Sequence, residues 1–172
     1  MPSFRTSRRV RHSRENMFDL VADVETYPQF LPLCQGMTVR QRQVDEVGSG
    51  IILATMQVGF KAVRETFTSR VTLDRPAMTI HVEYVDGPFR SLENRWTFEP
   101  DPQRPDDTGC LVGFFITYEF RSRMLSMLMG SMFDQAFRRF SEAFERRADQ
   151  IYGRPGAGSA RAHPAVPAGG TT

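Results

Sequence analysis

Lysine is almost missing from this chain of 172 residues: Lys61 stands alone, so the 22 basic side chains are nearly all Arg. That bias is spread along the whole sequence. With a formal net charge of only +2 it forms no basic block able to neutralise a run of phosphates, so no DNA partner is expected. Cysteine is scarce too. Cys34 and Cys110 make neither a C-x-x-C pair nor part of a Cys/His cluster, which excludes a disulfide scaffold and a zinc centre. Both are read as reduced thiols in a cytoplasmic-type compartment. The three histidines, His12, His81 and His163, are too scattered for a metal-ligand pair, and no metal is expected. No apolar run approaches the ~20 residues that cross a bilayer, and no secretory apolar segment opens the chain. Any membrane contact is therefore expected to be peripheral.

Catalytic signatures are equally thin. Ser131 after Gly130 lacks the strand-to-helix G-x-S-x-G setting of a hydrolase elbow. Gly48-Ser49-Gly50 has too few glycines and no following helix for a phosphate loop, so it reads as a hairpin turn. His81 and Glu83 share a strand face and read as solvated sheet surface rather than an acid–base pair. No catalytic residue is assigned.

What is present is patterning. The run Arg5, Arg8, Arg9, Arg11 and Arg14 superficially suggests a transit peptide, but helix-forming sequence follows at once, and residues 3–11 read as a charged edge strand. Ser13 offers an N-cap with Glu15 in the first turn of a helix whose apolar face is Met17, Phe18, Val21 and Val24. Tyr27-Pro28 should break that helix, and a short second helical turn should run through Phe30 and Leu31. Strands follow near 37–46 and 51–60. A third carries Val63, Phe67, Val71 and Leu73 on its apolar phase, a fourth Met78, Ile80, Val82 and Tyr84, and a fifth Leu92, Trp96 and Phe98. The loop Pro100–Thr108 precedes a last strand, apolar on both phases from Cys110 to Phe120.

The strongest signal lies further on. Phe133, Phe137, Phe140, Phe144, Ala148 and Ile151 recur at steps of four and three, with Arg138, Arg139, Glu142, Arg146 and Gln150 opposite. This long helix must lay its dry face on the sheet, and a helix across a curved sheet can enclose a cavity. Its expected lining is Phe133, Phe137, Phe140 and Phe144 from the helix and Leu92, Asn94, Trp96 and Phe98 from the sheet, with Asn94 placing one amide in an apolar space. Met124, Met127 and Leu128, together with Phe30, Leu31 and Phe89 beside Pro residues in loops, are expected to form an apolar, membrane-facing lip at its mouth.

The fold class is thus α+β: a curved antiparallel sheet of about seven strands wrapped around a long C-terminal helix, with two short helices after the first strand. One domain spans residues 1–153, and residues 154–172 read as a disordered Pro/Gly/Ala-rich tail. Four stretches, DVETYPQFLPLC (Asp23–Cys34), VGFKAVRETFTSRV (Val58–Val71), DGPFRSLENRWTFEP (Asp86–Pro100) and the run from YEFRS at Tyr118 to AFERRADQIYG ending at Gly153, together resemble the coenzyme Q-binding proteins. These belong to the START-like, polyketide cyclase-related superfamily, with the helix-grip fold, and are related to the ribosome-association toxins. The resemblance implies a non-enzymatic carrier that holds ubiquinone as a bound ligand, needs no other cofactor, and supports respiratory electron transfer. Its partners would be the isoprenoid quinone and a transient membrane surface or respiratory-chain contact. Its place would be the cytoplasm, peripheral to the inner face of the membrane, or the matrix side if mitochondrial. The YPQFLP and DGPF stretches are shared with the toxins, so a ribosome-binding toxin that blocks subunit association is the alternative, and a cyclase-like enzyme the next.

Overall fold

The computed structural model describes residues 2–104 and 106–153; the expected tail, residues 154–172, lies outside them. Seven strands form one antiparallel sheet. They are β1 (Ser3–Val10), β2 (Cys34–Val44), β3 (Gly50–Phe60), β4 (Val63–Asp74), β5 (Thr79–Asp86), β6 (Phe89–Pro100) and β7 (Cys110–Phe120). Their order across the sheet, β1-β7-β6-β5-β4-β3-β2, is a meander from β2 to β7 closed by the first strand, which pairs with the last. The helix α1 (Arg14–Ala22) and a 3₁₀ helix (Val24–Gln29) join β1 to β2, and α2 (Arg123–Tyr152) ends the fold.

Local chemistry explains the boundaries. β1 is an edge, and its exposed Arg5, Ser7 and Arg9 discourage a further strand from pairing there. Ser13 Oγ accepts from the Asn16 N–H and caps α1, with Glu15 in the positive first turn. The β2–β3 turn is held by Asp45, whose Oδ1 accepts from the Val47 and Ser49 N–H groups. A Cβ on Gly50, at φ +151°, would come within 2.0 Å of the Gln43 carbonyl oxygen, so only Gly fits.

The region after α1 departs from expectation. The helix ends at Ala22, and the second helical segment is the 3₁₀ turn containing Tyr27 and Pro28, ahead of Phe30 and Leu31. The chain turns at Asp23, whose carbonyl accepts from both the Thr26 N–H and the Thr26 hydroxyl. Pro28 is tolerated because so short a segment leaves its missing N–H without consequence.

Helix α2 is 30 residues long and buries Met129, Phe133, Ala136, Phe137, Ser141, Phe144 and Ala148. Ser122 caps it, accepting from the Met124 and Leu125 N–H groups. The helix packs on β7, β1 and α1. Arg8 donates to Glu145 Oε1 at 2.7 Å, and buried His12 holds Asp149 Oδ1 at 2.7 Å through Nε2, so β1 and the strand–helix junction clamp its C-terminal half. Ile151, expected on the dry face, is 48% exposed. The last buried residue is Ala148, and one turn later the helix is held at the surface by Tyr152, whose hydroxyl donates to the Asn16 carbonyl and whose ring lies 6.1 Å from that of His12.

Candidate functional site

Because α2 lies toward the β1–β7 end of the sheet, the inner faces of β3 to β5 are roofed by side chains instead of helix backbone. The remaining space is a cavity of about 80 Å³. Leu92, Asn94 and Trp96 of β6 line it from below, and Phe133, Phe137, Phe140 and Phe144 of α2 line it from above, as the apolar phases suggested. Val24, Tyr27 and Leu31 close one side. Trp96 is packed edge-on against Phe114 and Phe144 at centroid distances of 4.7 and 5.0 Å, so this floor is firm.

Three expectations need correction. Phe98 shares a phase with Trp96 but does not line the cavity; it sits under α1, edge-on to Phe18 at 5.7 Å, because β6 runs on past the end of the cavity. Phe89, expected at an exposed lip, is 0% exposed. Its ring stacks on Phe120 at 4.9 Å and meets Phe67 and Phe133 edge-on at 5.4 and 5.9 Å. An aromatic plug therefore shuts the end nearest the start of α2. Leu31 is buried and lines the cavity wall instead of its rim, while Phe30 is half-buried against Phe144 at 5.0 Å.

The helical part of the lip does face solvent: Met124, Met127 and Leu128 are 69%, 84% and 53% exposed. None of the three lines the cavity, and Met129 beside them is core. The partly exposed members of the lining are Tyr27, Pro32, Leu33, Met37, Met56, Val82 and Phe140, and four of them, Pro32, Leu33, Met37 and Met56, cluster in the chain before β2 and in β2 and β3. The cavity thus approaches solvent on the β2 side of the sheet, away from the exposed methionines. Sequence phase alone missed Met37, Met56, Val58, Phe67, Ser69 and Val71 as lining residues. Register would have found them, since Asn94 stands opposite Val82, Val82 opposite Val71, and Phe67 opposite Met56.

Chemically the cavity offers little beyond apolar surface and three polar groups. Asn94 Nδ2 donates to the Phe115 carbonyl at 2.8 Å. Tyr27 donates its hydroxyl to the Val21 carbonyl, and burial, with Cys34 and Asp23 nearby, pushes its pKa far above the ordinary phenol value. Ser69 completes the set. Tyr27 is the one titratable side chain among the described lining residues, and it is neutral at physiological pH. Elsewhere, His81 Nε2 lies 3.1 Å from Glu93 Oε1 on the outer sheet face, where Arg95 also donates to that carboxylate at 2.6 Å and lowers its pKa. Among the described residues no group of three His, Cys, Asp or Glu side chains converges, and no helix is long and apolar enough to cross a membrane.

A helix laid across a curved sheet above an apolar, side-chain-lined space is the helix-grip architecture. The chain belongs to the family described as polyketide cyclase / dehydrase and lipid transport, whose model matches residues 10–145. It is 35% identical over 144 residues to the ribosome association toxin of Vibrio cholerae, covering 84% of this chain and 93% of that protein. It is 34% identical over 143 residues to a mitochondrial coenzyme Q-binding protein, COQ10 homolog B of Xenopus laevis, covering 83% of this chain and 56% of that one. Among solved structures, an 18 kDa protein from Caulobacter crescentus is 32% identical, with a TM-score of 0.70 over 90% of this chain and all of its own.

Proposed function

We propose that this protein binds ubiquinone, or a similar isoprenoid lipid, in the cavity beneath α2 and carries it without chemical change in support of respiratory electron transfer. The observation that carries this reading is the cavity itself: aromatic and aliphatic walls, a neutral phenol, one amide and one hydroxyl. Such a surface favours an apolar ligand with a small polar head, at about 0.8 kcal/mol per buried CH₂. Exchange with a bilayer, itself apolar, is nearly neutral, so cargo can be released as well as captured. The exposed Met124, Met127 and Leu128 give the protein a surface for transient contact with that bilayer, at the inner face of the membrane. Similarity to the COQ10 homolog supports the quinone. Trp96 is the one Trp of the chain and lines the cavity, so quinone titration should quench its fluorescence saturably. Linear, non-saturating quenching would contradict the reading.

Similarity to ribosome association toxins over nearly their full length favours a second reading, in which an Arg-rich surface binds a ribosomal subunit. Adding the protein to dissociated subunits and following their reassociation by gradient sedimentation tests it. A cyclase-like activity draws support from the family description alone.

A further inference from the structure

The cavity of about 80 Å³ is well below the 300–1,000 Å³ of pockets that enclose a drug-sized ligand. On the same scale one water needs roughly 10–15 Å³, so the space holds a handful of waters. A polyprenyl chain does not fit; a single ring comes closest. The polar groups show where such a ring would be held. Asn94 is buried on β6, and its Nδ2 is identified chemically, since the Phe115 carbonyl it contacts at 2.8 Å can only accept. That bond uses one of the two amide hydrogens, and among the described residues neither the other hydrogen nor Oδ1 is engaged by protein. Ser69, buried on β4, likewise has no protein partner for its hydroxyl among the described residues.

With no protein partner, these groups are left to the cavity's waters, and a ligand whose oxygens pair them takes the place of those waters. Their separation follows from register: Asn94 is opposite Val82, Val82 is opposite Val71, and Ser69 is two residues before Val71 on the same face. Strand spacing and rise place the two positions roughly 12 Å apart. A six-membered ring with oxygens at opposite corners, hydrogen-bonded at both, bridges a gap of that order.

We infer that Asn94 and Ser69 form a head-group subsite that takes the oxygen-bearing ring of the ligand first, leaving its isoprenoid tail to run out past Pro32, Leu33, Met37 and Met56. This rests on the carrier reading and assigns it an orientation. The tail then lies against the exit on the β2 side and the membrane beyond, and the protein recognises the ring without measuring tail length. Both groups are neutral hydrogen-bonding groups, so they hold the ring without altering it.

The test uses Trp96 quenching with three probes: a tail-less benzoquinone carrying the ubiquinone ring substituents, a long-tailed ubiquinone, and a polyprenyl hydrocarbon without a ring. The tail-less quinone should bind the full chain saturably, and the hydrocarbon should not displace it. Ser69→Ala, which removes only the hydroxyl, should weaken ring binding about fivefold, the equivalent of one net hydrogen bond. Asn94→Leu should weaken it at least as much, with melting curves showing that each variant is folded. If the long-tailed quinone binds while the hydrocarbon competes and Ser69→Ala changes nothing, the tail enters first and the subsite is wrong, although the carrier survives. If no quinone binds at all, the carrier reading fails and the subsite with it.

Discussion

Trp96 touches rings on both sides, Phe114 at 4.7 Å and Phe144 at 5.0 Å, whereas Phe140 is only half-buried at the cavity wall. The two positions should therefore respond differently to truncation. Trp96→Ala in ligand-free protein should cost about 3–5 kcal/mol, as loss of a packed core ring does, and Phe140→Ala less than half of that. Urea melts decide it; equal losses would mean that the cavity wall is as tightly packed as the floor. The thiols offer a second residue-scale test. Burial pushes Cys34 up to about 11 and Cys110, helped by Asp107, up to about 12, against an ordinary value near 9. A folded pKa above the unfolded one means stability that is fully present below pH ~8.5 and lost as pH rises toward the folded values. Denaturation midpoints should hold to about pH 8.5 and then fall, and Cys34→Ala/Cys110→Ala should flatten the decline between pH 9 and 10, before tyrosine ionisation joins in. A decline unchanged by the double variant would contradict the assigned cause.

At the scale of elements, the first turns of α2 are the informative ones. Met127 and Leu128 are exposed and stand outside the cavity lining, so changing both to Ser should move the melting midpoint little, as surface substitutions do. Each lost side chain removes about 1.5–3 kcal/mol of possible insertion energy, so co-sedimentation with vesicles should drop clearly. Normal co-sedimentation by the folded variant would move the membrane contact to the β2 side. Much of the element plan was legible because its periods are clean. The α2 stripe predicts Phe133, Phe137, Phe140, Phe144 and Ala148, each buried or lining the cavity, and β6 predicts Leu92, Asn94 and Trp96. Phe89 was illegible for a physical reason: it follows Asp86-Gly87-Pro88, a turn signal that normally marks solvent, yet the chain folds that turn over Phe67. The pairing of His12 with Asp149 was illegible too, since 137 residues separate them and only tertiary packing unites them.

For the whole molecule, the edge charges of β1, the meander and the final helix agree with one another, and the sheet order follows with β1 returning beside β7. The cavity's size was not legible in the same way. Periodicity reports which faces are dry, but the gap left between two dry faces depends on where α2 crosses the sheet, here toward β1 and β7. That crossing leaves about 80 Å³ under α2, less than the roughly 150 Å³ that takes up a benzene ring, so loading must part the 3₁₀ segment and α2 from β2 and β3 even for the head-group. Mass spectrometry of an organic extract from protein purified out of its native host tests the central claim most directly. The account predicts a quinone or another isoprenoid lipid in the extract. Repeated extracts holding only solvent and buffer components, with no uptake of added quinone, would contradict it.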